Sequence, residues 1–232
     1  MMKRQPAAGM PQISEEAQKA LDELRKTTTN HFRLGVSEDE LSILLTESLN
    51  NAVKCQGKNV PAEMSGVIGS IANVIHGASN CTGVLLQGDF GTGKTTLIKS
   101  VIGVLRALLN PYRNSFTSLS PECCQVSMID LFLHKGDNAF DDMVNVDYLL
   151  IDDVGWESNF GDIPRTKEIQ ATVGALIQKR YDQMKYTVLA TIFDPTNLGD
   201  IYGITTFDVI KEGYVLIELE HDFCKNRTSL VL

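Results

Sequence analysis

Long apolar runs are missing from this 232-residue sequence: stretches such as Tyr148–Ile151 and Val84–Leu86 fall far short of the ~20 residues a membrane-crossing helix needs. The N-terminus, Met1-Met2-Lys3-Arg4-Gln5-Pro6, has no apolar segment behind its basic pair, so no secretory leader and no membrane partner are expected, and a cytoplasmic location is. Paired cysteine motifs are absent too. Cys55, Cys81, Cys123, Cys124 and Cys224 are odd in number and lack a C-x-x-C spacing, which reads as reduced thiols acting as small hydrophobes. None of His31, His76, His134 and His221 pairs at i, i+4, so no zinc site is implied. A basic field is also lacking. The formal net charge is −8, and nearly all of the acidic excess lies beyond residue 80. A protein that grips nucleic acid by itself normally carries the opposite sign, so any contact with DNA must be local or shared.

What remains is the composition of an ordinary globular chain, long enough for one large domain or a core with a small appendage. The first dozen residues read as a tail. Ser14 opens a helix with Ala17, Ala20, Leu21 and Leu24 in an apolar stripe, and Ser37-Glu38-Asp39-Glu40 has the capping-box pattern ahead of Leu41, Leu44, Leu45 and Leu49. Met64–Ile75 reads as a further helix. Residues 1–78 therefore form a helical N-terminal region, read either as packing against the core or as a docking arm for a partner. From residue 82 short apolar runs alternate with longer helical ones: strands at Val84–Gln87, Val126–Ile129, Tyr148–Ile151, Thr187–Ile192 and Tyr214–Leu219, helices at Thr95–Leu109, Leu131–Phe140 and Lys167–Met184. Continuous apolar strands separated by helices predict an α/β core over residues 79–232, a three-layer parallel sheet covered on both faces. Asp194-Pro195-Thr196-Asn197 reads as a turn.

Gly88-Asp89-Phe90-Gly91-Thr92-Gly93-Lys94-Thr95 matches G-x-x-x-x-G-K-[ST] in full, between a strand and a helix, as a phosphate-binding loop requires. Its glycines let main-chain N–H groups close on phosphate oxygens, and the helix dipole adds to the attraction. Gly88 to Thr96 are thus the expected nucleotide-binding residues: Gly88, Asp89, Phe90, Gly91, Thr92, Gly93, Lys94, Thr95 and Thr96. Lys94 would reach the β- and γ-phosphates, and Thr95 would ligate magnesium.

Asp147-Tyr148-Leu149-Leu150-Ile151-Asp152-Asp153 is an apolar strand ending in two carboxylates, a costly ending unless a cation is near. Asp152 is expected to hold Mg2+ through water, and Asp153 to orient and deprotonate the attacking water.

The string from Leu85 to Thr95, then Leu149–Gly155, Leu176–Tyr181, Thr187–Thr191 and Ile201–Gly203, resembles the DnaC/IstB-like group of AAA+ ATPases, over roughly residues 75 to 220. That resemblance implies a P-loop fold of the AAA+ type with strand order 5-1-4-3-2, ATP and Mg2+ as ligands, nucleotide-dependent homo-oligomers, and a replicative helicase or a transposase as partner, with single-stranded DNA in the vicinity. The chain departs from the group in two places. Where the group has a sensor asparagine after the fourth strand, this sequence has Ile192, with Thr191 as the nearest polar substitute in the catalytic set. After Tyr202-Gly203 no arginine follows to reach a neighbouring subunit. The separate helical lid of larger AAA+ proteins is not expected here. Arg165 and Arg180 are candidates for a finger, with a helix-surface salt bridge as the alternative for each, and Arg227 for a second sensor. Several functions are consistent with these residues: an ATP-hydrolysing switch of the helicase-loader type in DNA replication, a nucleotide-binding adaptor with little or no hydrolysis, a transposition helper ATPase, and, least favoured, a small-molecule kinase.

Overall fold

The computed structural model describes residues 34–55, 60–77, 79, 81–113, 123–128 and 139–220. The chain divides into two compact units, Met1–Asn30 and His31–Leu232; the helix expected at Ser14 and the second-sensor candidate Arg227 lie outside the described residues.

Two helices come first, α1 (Glu38–Lys54) and α2 (Met64–His76). The capping box forms as the sequence predicts: Glu40 N–H donates to Ser37 Oγ at 3.3 Å, and Ser37 N–H donates to Glu40 Oε2 at 2.7 Å. Each satisfies an amide the helix start would otherwise strand. The central sheet follows, β1 (Gly83–Gln87), β2 (Cys123–Ser127), β3 (Tyr148–Val154), β4 (Tyr186–Thr191) and β5 (Tyr214–Glu218), all parallel in the order β2-β3-β4-β1-β5. Helix α3 (Lys94–Arg113) leads away from the phosphate loop. Helices α4 (Ala139–Asn145), α5 (Pro164–Asp182), α6 (Pro195–Tyr202) and α7 (Ile204–Gly213) complete the described set, with a 3-10 turn at Trp156–Phe160.

Side chains alternate across each strand, so the sheet builds two cores. Val84, Leu86, Leu150, Val188 and Ala190 share one core with Leu41, Leu45, Leu49, Ile68, Ile71 and Ile98; α2 and α3 lie on the strands and α1 packs on those two helices. Leu85, Leu149, Ile151 and Leu189 face α5 and α7, packing on Val173, Leu176, Ile177 and Ile210. Residues on either side of position 78 thus share one core: α1 and α2 are part of the first layer of a helix–sheet–helix sandwich.

Differences from expectation have local causes. The second strand starts at Cys123 instead of Val126; Ile129 and residues 131–138 of the expected helix lie outside the described residues. Asp194-Pro195-Thr196-Asn197 is not a bare turn but the start of α6. Asp194 Oδ1 accepts the Asn197 amide at 2.8 Å and Pro195 takes the first helical position, where its missing N–H costs nothing. Arg180, expected on the helix surface, is wholly buried. Its guanidinium donates to the carbonyls of Met143 (2.7 Å), Val144 (3.1 Å), Val146 (2.8 Å), Asp147 (3.4 Å) and Tyr186, and to Thr187 Oγ1 (2.8 Å). It ties the end of α4 to the starts of β3 and β4, so it is no finger.

Candidate functional site

The site gathers where β1, β3 and β4 end. The loop Gly88–Gly93 turns sharply between β1 and α3, with Gly91 and Gly93 at φ 86° and 94°, values that favour glycine. Gly88 is confined as well: a Cβ there would lie 2.6 Å from the Leu219 carbonyl. Inside the loop, Lys94 is only 7% exposed, and its ammonium donates to the carbonyls of Gly88 and Asp89 (2.9 Å). Burial lowers its pKa, while Asp152, Asp153 and Asp89 act in the opposite direction. Among the described residues the ammonium's hydrogen bonds go only to neutral carbonyls, with the Asp152 and Asp153 carboxylates nearby. Thr95 is exposed at the start of α3, and Thr92 closes the turn through its Oγ1–H to the Asp89 carbonyl at 2.9 Å. Phe90 points outward, 78% exposed.

The acidic pair is built by a bulge. Ile151 pairs with Leu189 and Val154 with Thr191, so three steps on β3 match two on β4. Asp153 absorbs the extra residue in the left-handed region at φ 57°, a conformation Asp tolerates better than most. Asp152 stays in line, 5% exposed, and its Oδ1 accepts the Asp153 amide at 3.1 Å. The two acids therefore point differently although they are adjacent. Burial, then the neighbouring Asp152, raises the pKa of Asp153, and Lys94 pulls it down.

Lys94, Asp152 and Asp153 thus come together as the sequence suggests. Thr191 does not join them. It is 1% exposed, its single proton goes to the Val154 carbonyl at 2.7 Å, and the Phe193 amide donates to it at 3.0 Å. The hydroxyl is committed to holding the backbone. Ile192, one residue on, is exposed and borders a cavity of about 520 Å3 with Gln87, Gly88, Asp89, Phe90, Thr92 and Glu218–Glu220. A second cavity of about 350 Å3 continues past Thr92 to Glu63, Met64 and Val67 at the start of α2. No described residue lining either cavity is an arginine. Arg165 is exposed on the first turn of α5.

Sequence reasoning missed the residues behind the acids. Glu157 is wholly buried in the 3-10 turn, and neither carboxylate oxygen meets a partner in hydrogen-bonding geometry. Burial raises its pKa, against the pull of the nearby Tyr202 hydroxyl and the Glu157 and Gly155 amides. Tyr202 Oη accepts the Gly155 amide at 2.7 Å. A lone glutamate between Trp156 and Ser158 carries no pattern that announces burial.

The order β2-β3-β4-β1-β5, a phosphate loop after β1 and a carboxylate pair after β3 together define an architecture that solved proteins share. The DnaC helicase loader is similar over 74% of this chain and 98% of its own, with 16% identity and a TM-score of 0.53. The two chains share a fold. A DNA replication initiation factor matches 69% of this chain at 19% identity and a TM-score of 0.54, and the replication initiator DnaA, solved with AMPPCP and single-stranded DNA, matches 75% at 20% identity and 0.51. The chain spans about half the length of those two proteins, 47% and 51%. No protein-family model and no curated protein matches the sequence. No helix among the described residues is long and apolar enough to cross a membrane.

Proposed function

We propose that this chain binds ATP with Mg2+ and hydrolyses it slowly, as a nucleotide-driven switch that acts on a replicative helicase during DNA replication in the cytoplasm. The observation that carries the reading is the buried Lys94 ammonium, bonded among the described residues only to loop carbonyls and set against Asp152 and Asp153. The donor set fits the ligands. Thr95 and Asp152 are hard oxygen donors of the kind Mg2+ prefers, and the burial and neighbouring Asp152 charge that raise the pKa of Asp153 are what a nearby cation offsets. Bound there, the ion would neutralise charge developing on the phosphates.

The residues divide the work. Gly88–Gly93 offer main-chain amides to the phosphates, Lys94 pairs with the β- and γ-oxygens, and Thr95 and Asp152 hold the metal. Asp153 takes the proton from the attacking water. Met64 and Val67 give the second cavity an apolar wall on which an adenine base can rest. An arginine finger contributes ~10³–10⁵ in rate where present, and the cavities described here have none, so slow or partner-stimulated turnover is the expectation. Likeness to proteins solved as a helicase loader and as an initiator with single-stranded DNA supports the biological assignment.

Steady-state ATPase measurements with and without single-stranded DNA and a replicative helicase test it. Turnover that Asp153→Asn abolishes, with nucleotide binding kept, supports the switch. The competing reading is an adaptor, or a transposition helper, that binds ATP and barely hydrolyses it; Ile192 beside the phosphate loop favours that outcome, which absence of turnover under every condition would establish.

A further inference from the structure

The Val154 carbonyl and the Gly155 amide belong to one peptide unit, and that unit lies one residue beyond Asp153. Its oxygen accepts the Thr191 hydroxyl at 2.7 Å, and its nitrogen donates to the Tyr202 hydroxyl at 2.7 Å. Thr191 ends β4 and Tyr202 ends α6, so two elements grip the two poles of one peptide plane. A third contact locks the pair. Phe193, whose amide donates to Thr191 Oγ1 at 3.0 Å, lays its ring where a Cβ on Gly155 would be, 2.5 Å away. Gly155 itself sits at φ 93° and Asp153 at φ 57°, two left-handed residues within three positions. Such a backbone persists only where its surroundings hold it.

We infer that Thr191 and Tyr202 are positioning residues: their hydroxyls clamp the Val154–Gly155 peptide and so hold the Asp153 carboxylate in the direction hydrolysis requires. This rests on the hydrolysis reading above. Neither Thr191 nor Tyr202 lines the two cavities beside the loop. Thr191 thereby keeps a part in the reaction, though not by contact with water, and Tyr202 links the catalytic acid to the α6–α7 segment, so movement of that segment reaches Asp153 through one hydrogen bond. Tyr202 Oη accepts from Gly155, which leaves its own proton for the neighbouring buried Glu157 side of the turn.

The test uses the full chain and the variants Tyr202→Phe, Thr191→Val and Thr191→Ser. Hydrogen exchange at the Gly155 amide is read beside kcat, KM and ADP affinity. In Tyr202→Phe the Gly155 amide is expected to exchange at least about tenfold faster, the loss of one buried bond. The kcat should fall about tenfold or more, with KM and ADP affinity within twofold of wild type. Thr191→Val should repeat the kcat loss, and Thr191→Ser, which keeps the hydroxyl, should restore it. Unchanged Gly155 exchange in Tyr202→Phe overturns the clamp, and so does faster exchange with kcat intact. Should Thr191→Val fail to fold, Tyr202→Phe and Thr191→Ser carry the test. A wild type that binds nucleotide without turnover removes the hydrolysis reading instead, and Gly155 exchange then upholds or overturns the clamp on its own.

Discussion

Replacing Arg180 with Met removes a buried cation while keeping much of its volume, and the structure sets the size of the consequence. Six acceptors lose their donor: the carbonyls of Met143, Val144, Val146, Asp147 and Tyr186, and Thr187 Oγ1. Asp147 and Val146 lie near the surface and can recruit water. Met143, Val144 and Tyr186 cannot do so easily, because their bonds to Arg180 are buried. A stranded buried polar group costs about 1–3 kcal/mol, so three of them give roughly 3–9 kcal/mol before any relaxation. Against this stands relief from burying the charge; burial lowers the Arg180 pKa to about 10, despite Tyr214, Asp147 and Cys124 acting to raise it. A net loss of about 3–5 kcal/mol follows, the range for removing one side of a buried charged network. For a domain of this size that lowers Tm by about 10 °C. Urea unfolding and thermal melts followed by circular dichroism measure it. Arg180 binds the starts of β3 and β4, while the phosphate site lies at their ends, so the folded variant should keep nucleotide affinity within about twofold. A loss below about 1 kcal/mol would refute the accounting, and a selective loss of nucleotide binding would reassign Arg180 to the site.

Three further outcomes are expected. Asp194→Ala should cost about 0.5–2 kcal/mol through the lost cap on α6, read as a shift in urea midpoint with unchanged slope. Gly155→Ala must place a methyl against the Phe193 ring at φ 93°, so about 2 kcal/mol or more of stability should go, together with turnover; wild-type behaviour would show the turn to be slack. Glu157 has its folded pKa raised, so its carboxyl keeps a proton in the folded state where the unfolded chain has lost it. Its contribution is full below the unfolded value near 4.5 and is lost as pH rises through the folded one. Glu157→Gln should therefore gain stability relative to wild type between pH 5 and 8, measured by chemical unfolding, and a difference constant across that window would contradict the assignment.

Much of this was readable in the chain. Residues at β1, β3 and β4 are so uniformly apolar that burial on both faces was the only economical reading, and the phosphate loop and acidic pair announce their chemistry through spacing. Capping at Ser37 was equally plain. The misreadings share a cause: hydrogen bonds that pass between elements distant in sequence. Arg180 follows Lys179 on a helix and reads as solvated, until the carbonyls of α4 and β3 are seen to converge on it. Thr191 reads as a strand residue and Tyr202 as half of a Tyr-Gly pair, and their shared peptide exists only in three dimensions. The helix at Pro195–Tyr202 was hidden because an N-cap and a turn begin with the same residues. The bulge at Asp153 has no sequence signature of its own, since it arises from register between β3 and β4.

Calorimetric titration of ATP with Mg2+ into the full chain and into Lys94→Ala tests the central claim most directly. The account predicts saturable binding by the wild type and its loss, by tenfold or more, in a variant that still unfolds cooperatively. Equal affinity in both proteins, or no heat from a well-folded wild type, would contradict it.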